Sequence, residues 1–154
     1  MRPARVWVRE RSLFWERVNR GGTTAFLEDD PHWASKARAT LATAAVHSVQ
    51  YGTRLAEWRR LLDCPPELAM DLPADVGSRH WDVILVDAPA AHDDTQPGRM
   101  KSIYTASRLV AAGGHVFVHS CERPAEQAFA SRYLGDDRLA VEVKGRAILR
   151  GYRF

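Results

Sequence analysis

The sequence predicts a three-layer αβα domain of Rossmann-like type, with a mostly parallel β-sheet and a C-terminal antiparallel hairpin. Short apolar runs alternate with longer segments of helical period, as in repeated βαβ units. The run Trp81 to Val86 is almost entirely apolar, which is typical of a central strand covered on both faces. The runs Leu139 to Val143 and Ala147 to Phe154 flank Lys144-Gly145, which predicts a hairpin turn.

Length and composition place the chain among globular proteins with one domain over residues 1–154. The net charge is +3, and 19 of the 22 basic residues are arginine. These arginines are spread along the chain among acids, so no basic stripe indicates a nucleic-acid partner. The arginine bias fits either an anionic partner or the codon usage of a GC-rich genome.

The remaining global features predict a soluble, cytoplasmic protein without a membrane partner. Cys64 and Cys121 form no CxxC pair, which predicts two reduced thiols. No apolar run is long enough for a transmembrane helix, and residues 1–10 lack the apolar centre of a signal peptide. The oligomeric state stays open, with a homodimer as one option.

In the N-terminal part, apolar runs predict three strands, over residues 4–8, 23–27 and 45–51. Helices are predicted after each of them. Side chains suited to N-capping mark the starts of these helices. The predicted caps and helices are Ser12 for residues 12–18, Asp30 (with Pro31 at the first helical position) for residues 31–44, and Thr53 for residues 53–62.

In the C-terminal part, three prolines and a glycine predict a loop over residues 64–78, before the strand at 81–86. A polar loop over 88–97 leads to a helix over 98–112, which Gly113 and Gly114 are expected to end. A strand over 115–119 and a helix over 124–134 precede the hairpin. The predicted order is therefore β-α-β-α-β-α-β-α-β-α-β-β.

Candidate site residues stand where the predicted strands end, because ligands of open α/β sheets bind beyond the carboxyl ends of the strands. Glu28 ends the second strand and could bind ribose hydroxyls, or could merely favour the next helix through its dipole. Asp87 ends the fourth strand and could act as a base, hold a metal, bind an ammonium group or cap a turn. His119 ends the fifth strand and is either a general base or a structural histidine.

The loop between the fourth strand and its helix also carries polar candidates. His92, Asp93 and Asp94 form either a divalent-metal site or a solvated surface loop. Arg99 opens the following helix and could bind a substrate carboxylate with two parallel hydrogen bonds, or could pair with a nearby aspartate.

Several sequence blocks resemble the glucuronoxylan 4-O-methyltransferase family, also called the polysaccharide biosynthesis or irregular-xylem-15-like family. The resemblance covers nearly the whole chain in order. The blocks are SL-x-W from Ser12, FLEDDPHW from Phe26, V-x-Y-x-T from Val49, WDVILVDAP from Trp81, PGRMKSIYTA from Pro97 and VFVHSCERPAEQAF from Val116.

This resemblance implies a class I methyltransferase fold, with S-adenosylmethionine (SAM) as cofactor and a divalent metal ion as a further option. Arg9, Glu28, Tyr51 and Asp87 would then bind the cofactor, with Asp87 and His119 near the transferred methyl group. Arg99, Tyr104 and His92 would line the acceptor side, with Arg99 facing a uronate. The implied acceptor is a saccharide or another small acidic molecule.

Three departures from the family pattern accompany these matches. Trp7, Val8 and Arg9 stand where the family has a Gly-x-Gly loop, whose glycines let the backbone approach the cofactor. His119-Ser120 replaces a His-Asp pair. The membrane anchor of the plant proteins is absent from this sequence, which argues against a secretory xylan enzyme.

Two functional hypotheses follow. The first is an O-methyltransferase in which Asp87 or His119 takes the proton of the acceptor hydroxyl. The second is a degenerate methyltransferase-fold domain that binds a ligand or partner without methyl transfer, or that uses SAM in another reaction.

Overall fold

A computed structural model describes the backbone of residues 7–154 and the side chains of residues 12–154. Within it the chain forms two compact units, Met1–Gln50 and Tyr51–Phe154. Strands and helices occur in both units, so the protein belongs to the α/β class.

In the first unit, two strands pair in parallel and each is preceded by a helix. The elements are α1 (Trp7–Val18), β1 (Ala25–Glu28), α2 (Pro31–Thr40) and β2 (Ala45–Ser48). Ala25 pairs with Ala45, and the register continues to the Glu28–Ser48 pair. The second and third predicted strands are therefore present, but both are shorter than expected.

Asp30 caps α2 as predicted. Its Oδ1 accepts hydrogen bonds from the backbone N–H groups of His32 and Trp33, at 2.8 and 3.2 Å, and Pro31 occupies the first turn. A second polar contact supports this unit, because Glu16 Oε1 on α1 accepts hydrogen bonds from the N–H groups of Thr43 and Ala44. These contacts satisfy backbone donors that would otherwise lack partners.

The first predicted strand is wrong where the structure describes it. Trp7 and Val8 lie in α1, and residues 4–6 lie outside the described part of the chain. The stretch from Trp7 to Val18 contains neither glycine nor proline and includes strong helix formers such as arginine, glutamate and leucine. Its propensity therefore favours one continuous helix over a strand of five residues.

In the second unit, four strands form a mixed sheet in the order β3-β4-β6-β5. A 3₁₀ turn over Leu55–Glu57 precedes the first helix, and another over Asp136–Arg138 precedes β5. The remaining elements are α3 (Trp58–Leu61), α4 (Pro65–Leu68), α5 (Ala74–Gly77), β3 (Trp81–Val86), α6 (Met100–Leu109), β4 (Val110–His119), α7 (Pro124–Tyr133), β5 (Leu139–Lys144) and β6 (Ile148–Arg153).

Strand β3 pairs with β4 in parallel, whereas the β4–β6 and β5–β6 pairs are antiparallel. The predicted C-terminal hairpin is thus confirmed. The prediction of one mostly parallel sheet is wrong for the described residues, which form two sheets with parallel and antiparallel pairs in equal number.

Two other predicted segments need correction. Residues 64–78 contain the short helices α4 and α5. Pro65 and Pro66 occupy the first positions of α4, where the backbone N–H that proline lacks would have no partner within the helix. The helix predicted over 98–112 ends at Leu109, and Val110 already pairs with Trp81 in the sheet. Gly114 lies inside β4, where a Cβ would come within 2.9 Å of the Asp82 carbonyl oxygen.

The core of the second unit lies between its sheet and the helices α6 and α7. Val116 and Val118 of β4 and Tyr152 of β6 are fully buried on this side. The larger buried apolar side chains of this core are Leu61, Leu68, Met100, Ile103, Phe129 and Leu134. The core fixes the two parallel strands β3 and β4, whose carboxyl ends carry the candidate site.

Candidate functional site

The centre of the candidate site is a contact between Asp87 and His119. Strands β3 and β4 are parallel neighbours, and Val86 pairs with Val118 at their carboxyl ends. The residue that follows each of these positions is therefore brought alongside the other. Asp87 Oδ1 lies 3.2 Å from His119 Nδ1, and each side chain keeps about a third of its surface exposed, at 30% and 31%. The two strand-end residues named from the sequence thus form one acid–imidazole pair.

Ser120 completes this corner of the sheet. Its Oγ lies 3.0 Å from His119 Nδ1, so the imidazole nitrogen that contacts Asp87 also contacts a hydroxyl. Ser120 has a φ of 67°, in the left-handed region that non-glycine residues rarely occupy. This conformation turns the chain out of β4 and holds the hydroxyl beside the imidazole. From the sequence, Ser120 is only the residue that replaces the aspartate of the family's His-Asp pair.

Arg99 is buried beside the Asp87–His119 pair and contacts the backbone of both strand ends. Only 7% of its side chain is exposed. Its guanidinium donates hydrogen bonds to the carbonyl oxygens of Pro89 (3.3 Å), Asp87 (3.0 Å) and His119. Burial lowers the pKa of Arg99, and the charge of Asp87, whose Oδ1 lies 3.7 Å from Nη2, opposes this effect.

These contacts give Arg99 a structural role that the sequence did not predict. Carbonyl groups use three of the five N–H donors of this guanidinium, and only 7% of the side chain is exposed, which argues against the bidentate contact to a uronate that its position in the sequence suggested. Arg99 instead ties the end of β3, the following loop and the end of β4 together. It adds to the β3–β4 pairing, which brings Asp87 and His119 side by side.

A further buried carboxylate, Glu126, interacts electrostatically with Arg99. Glu126 in the first turn of α7 is 1% exposed, and Arg123 Nη1 lies 3.6 Å from its Oε1. Burial raises the pKa of Glu126, and the charges of Arg99 and Arg123 oppose this effect. The exposed His92 joins the group, because its Nδ1 lies 3.3 Å from Arg123 Nη2. Sequence reasoning missed Glu126, because an arginine and a glutamate three residues apart usually form an exposed pair.

The two predicted tyrosines are packed in the second unit. Tyr51 is buried, with 5% of its surface exposed. Tyr104 packs edge-on against Tyr133 of α7, with ring centroids 5.2 Å apart, and borders the hydrophobic core. Tyr104 therefore contributes to packing, and its acceptor contact stays a prediction.

In the first unit, Glu28 ends β1 and is followed by two further carboxylates. Its Oε1 accepts a hydrogen bond from the N–H group of Asp30, at 3.0 Å. Burial raises the pKa of both Glu28 and Asp29, and the neighbouring negative charges add to this effect. Arg9 lies in α1, and its side chain is outside the described part of the chain.

The described residues show no site for a divalent metal. No cluster of three or more His, Cys, Asp or Glu side chains that could hold a metal ion occurs among them. His92 and Asp93 are engaged in other contacts, since Asp93 Oδ1 accepts hydrogen bonds from the N–H and hydroxyl groups of Thr95. Both alternatives for this segment, a solvated loop and a metal site, stay predictions.

Comparison with known proteins decides the family. The family model described as IRX15/IRX15L/GXM matches residues 7–70 and 62–150. The chain belongs to the IRX15/IRX15L/GXM family. The resemblance found in the sequence blocks is thereby confirmed, and the Asp87–His119 corner lies within the matched residues.

Similar proteins within the family come from Arabidopsis thaliana. Glucuronoxylan 4-O-methyltransferase 2 is 38% identical over 144 residues, covering 80% of this chain and 50% of that protein. Arabinogalactan O-methyltransferase 2 is 34% identical over 149 residues, covering 80% and 51%. Protein IRX15-LIKE is 33% identical over 153 residues, covering 83% and 48%. This family member therefore spans about half the length of the curated relatives it matches.

Among solved structures, the chain is similar to the N-methyltransferase NodS from Bradyrhizobium japonicum WM9. The TM-score is 0.46 at 15% identity, over 94% of each chain. The NodS complex with S-adenosyl-L-homocysteine gives 0.47 at 14% identity, over 94% of this chain and 86% of that one. In the described part of the family member, no helix has the length and apolar character needed to cross a membrane.

Proposed function

We propose that this protein is a SAM-dependent O-methyltransferase of class I methyltransferase fold that acts on a hydroxyl group of a polysaccharide. The observation that carries the proposal is the Asp87–His119 pair at the carboxyl ends of two parallel strands, in a chain whose relatives are named as methyltransferases of glucuronoxylan and arabinogalactan. Acid–imidazole pairs of this kind can remove a proton from a hydroxyl group near neutral pH.

We infer the roles within the pair from its geometry. With the imidazole proton on Nδ1, directed at Asp87 Oδ1 and Ser120 Oγ, Nε2 becomes the nitrogen that accepts a proton from the acceptor. Asp87 fixes this tautomer and stabilises the imidazolium that forms. Proton acceptance of this kind is worth roughly 10²–10⁴-fold in rate. Arg99 keeps the two strand ends at a fixed separation.

The residues proposed to bind SAM are carboxylates, which accept hydrogen bonds from hydroxyl and ammonium groups. The Glu28 carboxylate at the end of β1 suits the hydroxyl groups of a ribose, and the partly exposed Asp87 carboxylate suits an ammonium group. When bound, SAM supplies the electrophilic methyl group. The proposed acceptor is a sugar acid within a polysaccharide, as the name glucuronoxylan suggests for the relative.

Isothermal calorimetry with SAM, followed by a transfer assay, tests this function. We expect saturable binding to the full chain, weakened by Glu28→Gln, and transfer of labelled methyl to glucuronoxylan oligosaccharides in preference to neutral xylan oligosaccharides. Asp71→Asn, which alters an exposed aspartate between α4 and α5, is the matched control. If SAM does not bind at millimolar concentration, the proposed function is wrong.

One observation supports a second candidate function, a family member that binds its ligand without methyl transfer. Trp7 to Arg9 align with the glycine loop of the family, but they lie in helix α1. A helix there does not provide the close backbone approach that a glycine turn allows. In this case oligosaccharide binding would persist in calorimetry while SAM produced no heat and no methylated product formed.

A further inference from the structure

Ser120 is the only non-glycine residue with a positive φ in the described part of the chain, and the other residues with a positive φ there are glycines. Its φ of 67° lies in the left-handed region, which is unfavourable for a residue that carries a Cβ. Residues in this conformation persist where the surrounding structure holds them, and they are frequent at functional sites. A serine at a position that favours glycine therefore points to a use for its side chain.

Hydrogen bonds fix the backbone on both sides of this residue. The Ser120 carbonyl oxygen accepts a hydrogen bond from the N–H group of Arg123, at 3.1 Å, which closes a turn over residues 120–123. The N–H group of Cys121 donates to the carbonyl oxygen of Ile148, at 2.9 Å. Only 3% of the surface of Ser120 is exposed, so its hydroxyl group is held at a fixed place inside the turn.

The hydroxyl group that this turn holds contacts the imidazole of His119. Ser120 Oγ and Asp87 Oδ1 lie 3.0 and 3.2 Å from the same ring nitrogen, His119 Nδ1. In a nucleophilic serine–histidine–aspartate triad, the hydroxyl and the carboxylate contact opposite nitrogens of the ring. This arrangement and the burial of Ser120 argue against a serine nucleophile. Both oxygen atoms can instead accept a hydrogen bond from the proton on Nδ1.

We propose that Ser120 is a positioning residue that acts through the His119 imidazole. Two acceptors from different segments, the end of β3 and the turn after β4, contact Nδ1 and restrict rotation of the ring. An oxygen atom that accepts a hydrogen bond from the imidazolium also stabilises the charged form of the ring. The inference rests on the proposed function, because it adds a residue to the same proton transfer, but the contacts that carry it involve no cofactor.

A role confined to the turn makes a different prediction. Glycine adopts a φ of 67° without strain, so Ser120→Gly should keep or raise the free energy of unfolding. If Ser120 only shapes the turn, this variant should leave the site unchanged. If the hydroxyl positions the imidazole, the variant should lose activity while its stability is kept.

The first test is an NMR titration of the His119 imidazole in the full chain without cofactor, by long-range ¹⁵N–¹H correlation. In Ser120→Ala and Ser120→Gly we expect the midpoint to move to lower pH by roughly a few tenths of a unit, because the imidazolium loses one acceptor. Ser120→Asp places a carboxylate at the same position and should move the midpoint to higher pH.

The charged residues on the elements around this imidazole are the same in all of these variants. They are Asp87 after β3, Arg99 before α6, Glu122 and Arg123 in the turn after β4, and Arg150 on β6. Ser131→Ala is the matched control, since it removes a hydroxyl on α7 that donates to an exposed carboxylate, that of Asp136. It should leave both the midpoint and the activity unchanged.

A kinetic measurement, with urea unfolding of each variant in parallel, connects the positioning role to the proposed reaction. In Ser120→Gly we expect kcat for methyl transfer to fall about tenfold while KM for SAM stays within about twofold. The proposal is overturned if His119 titrates at the wild-type pH in all three Ser120 variants, or if Ser120→Gly keeps the wild-type kcat. Failure of SAM to bind, with the midpoint shifts present, would overturn the proposed function and still support the contact between Ser120 and His119.

Discussion

Asp87 and His119 are 32 positions apart in the chain, yet Asp87 Oδ1 and His119 Nδ1 are 3.2 Å apart because β3 and β4 end side by side. The parallel register at Val86 and Val118 converts two strand termini into one acid–base pair. The same geometry makes the pair sensitive to whatever holds the strand ends, and Arg99 does so with hydrogen bonds to the carbonyl oxygens of both residues.

Asp87→Asn is expected to reduce methyl transfer by about 10²-fold or more, because asparagine cannot stabilise the imidazolium of His119. The amide has the shape of the carboxylate, so the fold should persist. The measurement is kcat with labelled SAM, together with the circular dichroism spectrum.

Asp71→Asn provides the control, since it removes one exposed carboxylate from a loop between α4 and α5. Full activity in Asp87→Asn would show that the pair does not take part in the chemistry.

Arg99→Met is expected to destabilise the protein by roughly 3–5 kcal/mol, because it removes a buried charge and leaves three carbonyl groups without their donors. Urea unfolding of the full chain measures this loss. Arg99→Lys should recover only part of it, since an ammonium group cannot reach three carbonyl oxygens in the same geometry.

A substrate-binding arginine would behave differently. It would leave the free energy of unfolding nearly unchanged and raise KM for an acidic acceptor. Near-native stability of Arg99→Met would therefore favour the interpretation drawn from the sequence, in which Arg99 binds a substrate carboxylate.

The contrast between Arg99 and Asp87 shows what the sequence could and could not predict. Strand ends follow from local apolar patterns, so Asp87 and His119 could be named in advance. The direction of the Arg99 side chain depends on where three carbonyl groups from distant segments converge, and that is a tertiary property. The same holds for Glu126, because its burial depends on how α7 packs and leaves no trace in an Arg-x-x-Glu pattern.

The secondary-structure elements also divide into those with a local sequence signal and those that depend on tertiary packing. The hairpin of β5 and β6 has a local turn signal and was predicted with nearly its observed bounds. The Gly113-Gly114 pair was misassigned to a helix end, because a close backbone approach inside β4 favours glycine for a different reason. Two sheets instead of one could not be anticipated from strand patterns, which do not specify pairing.

Glu16 is expected to make the stability of the first unit depend on acidity. Backbone hydrogen bonds from Thr43 and Ala44 lower the pKa of Glu16 from 4.5 to about 2. A depressed folded-state pKa contributes stability above about pH 4.5, and this contribution is lost as the pH falls toward about 2. Thermal unfolding of Glu16→Gln should therefore depend less on pH in this range than that of the wild type.

The control is again Asp71→Asn, which removes a carboxylate without removing a helix-to-loop contact. Parallel pH curves for Glu16→Gln and the wild type would mean that the contacts to Thr43 and Ala44 do not persist in solution.

Gly151 of β6 is expected to resist substitution because two side chains close over it. A Cβ at this position would lie 2.7 Å from both Phe117 Cε1 and Val141 Cγ1, on the neighbouring strands β4 and β5. Both strands would have to shift or change rotamers, so Gly151→Ala should cost about 1–3 kcal/mol in the free energy of unfolding. Urea denaturation measures it.

The matched control for this strand is Gly145→Ala in the turn of the same hairpin, where a new Cβ meets only the Ala147 carbonyl oxygen, at 3.9 Å. A smaller neighbour should relieve the crowding, so Phe117→Ala is expected to cost less in the Gly151→Ala background than in the wild type. Equal costs in both backgrounds would show that the aromatic ring does not pack over Gly151. In that case the close contact could not be the reason for glycine at this position.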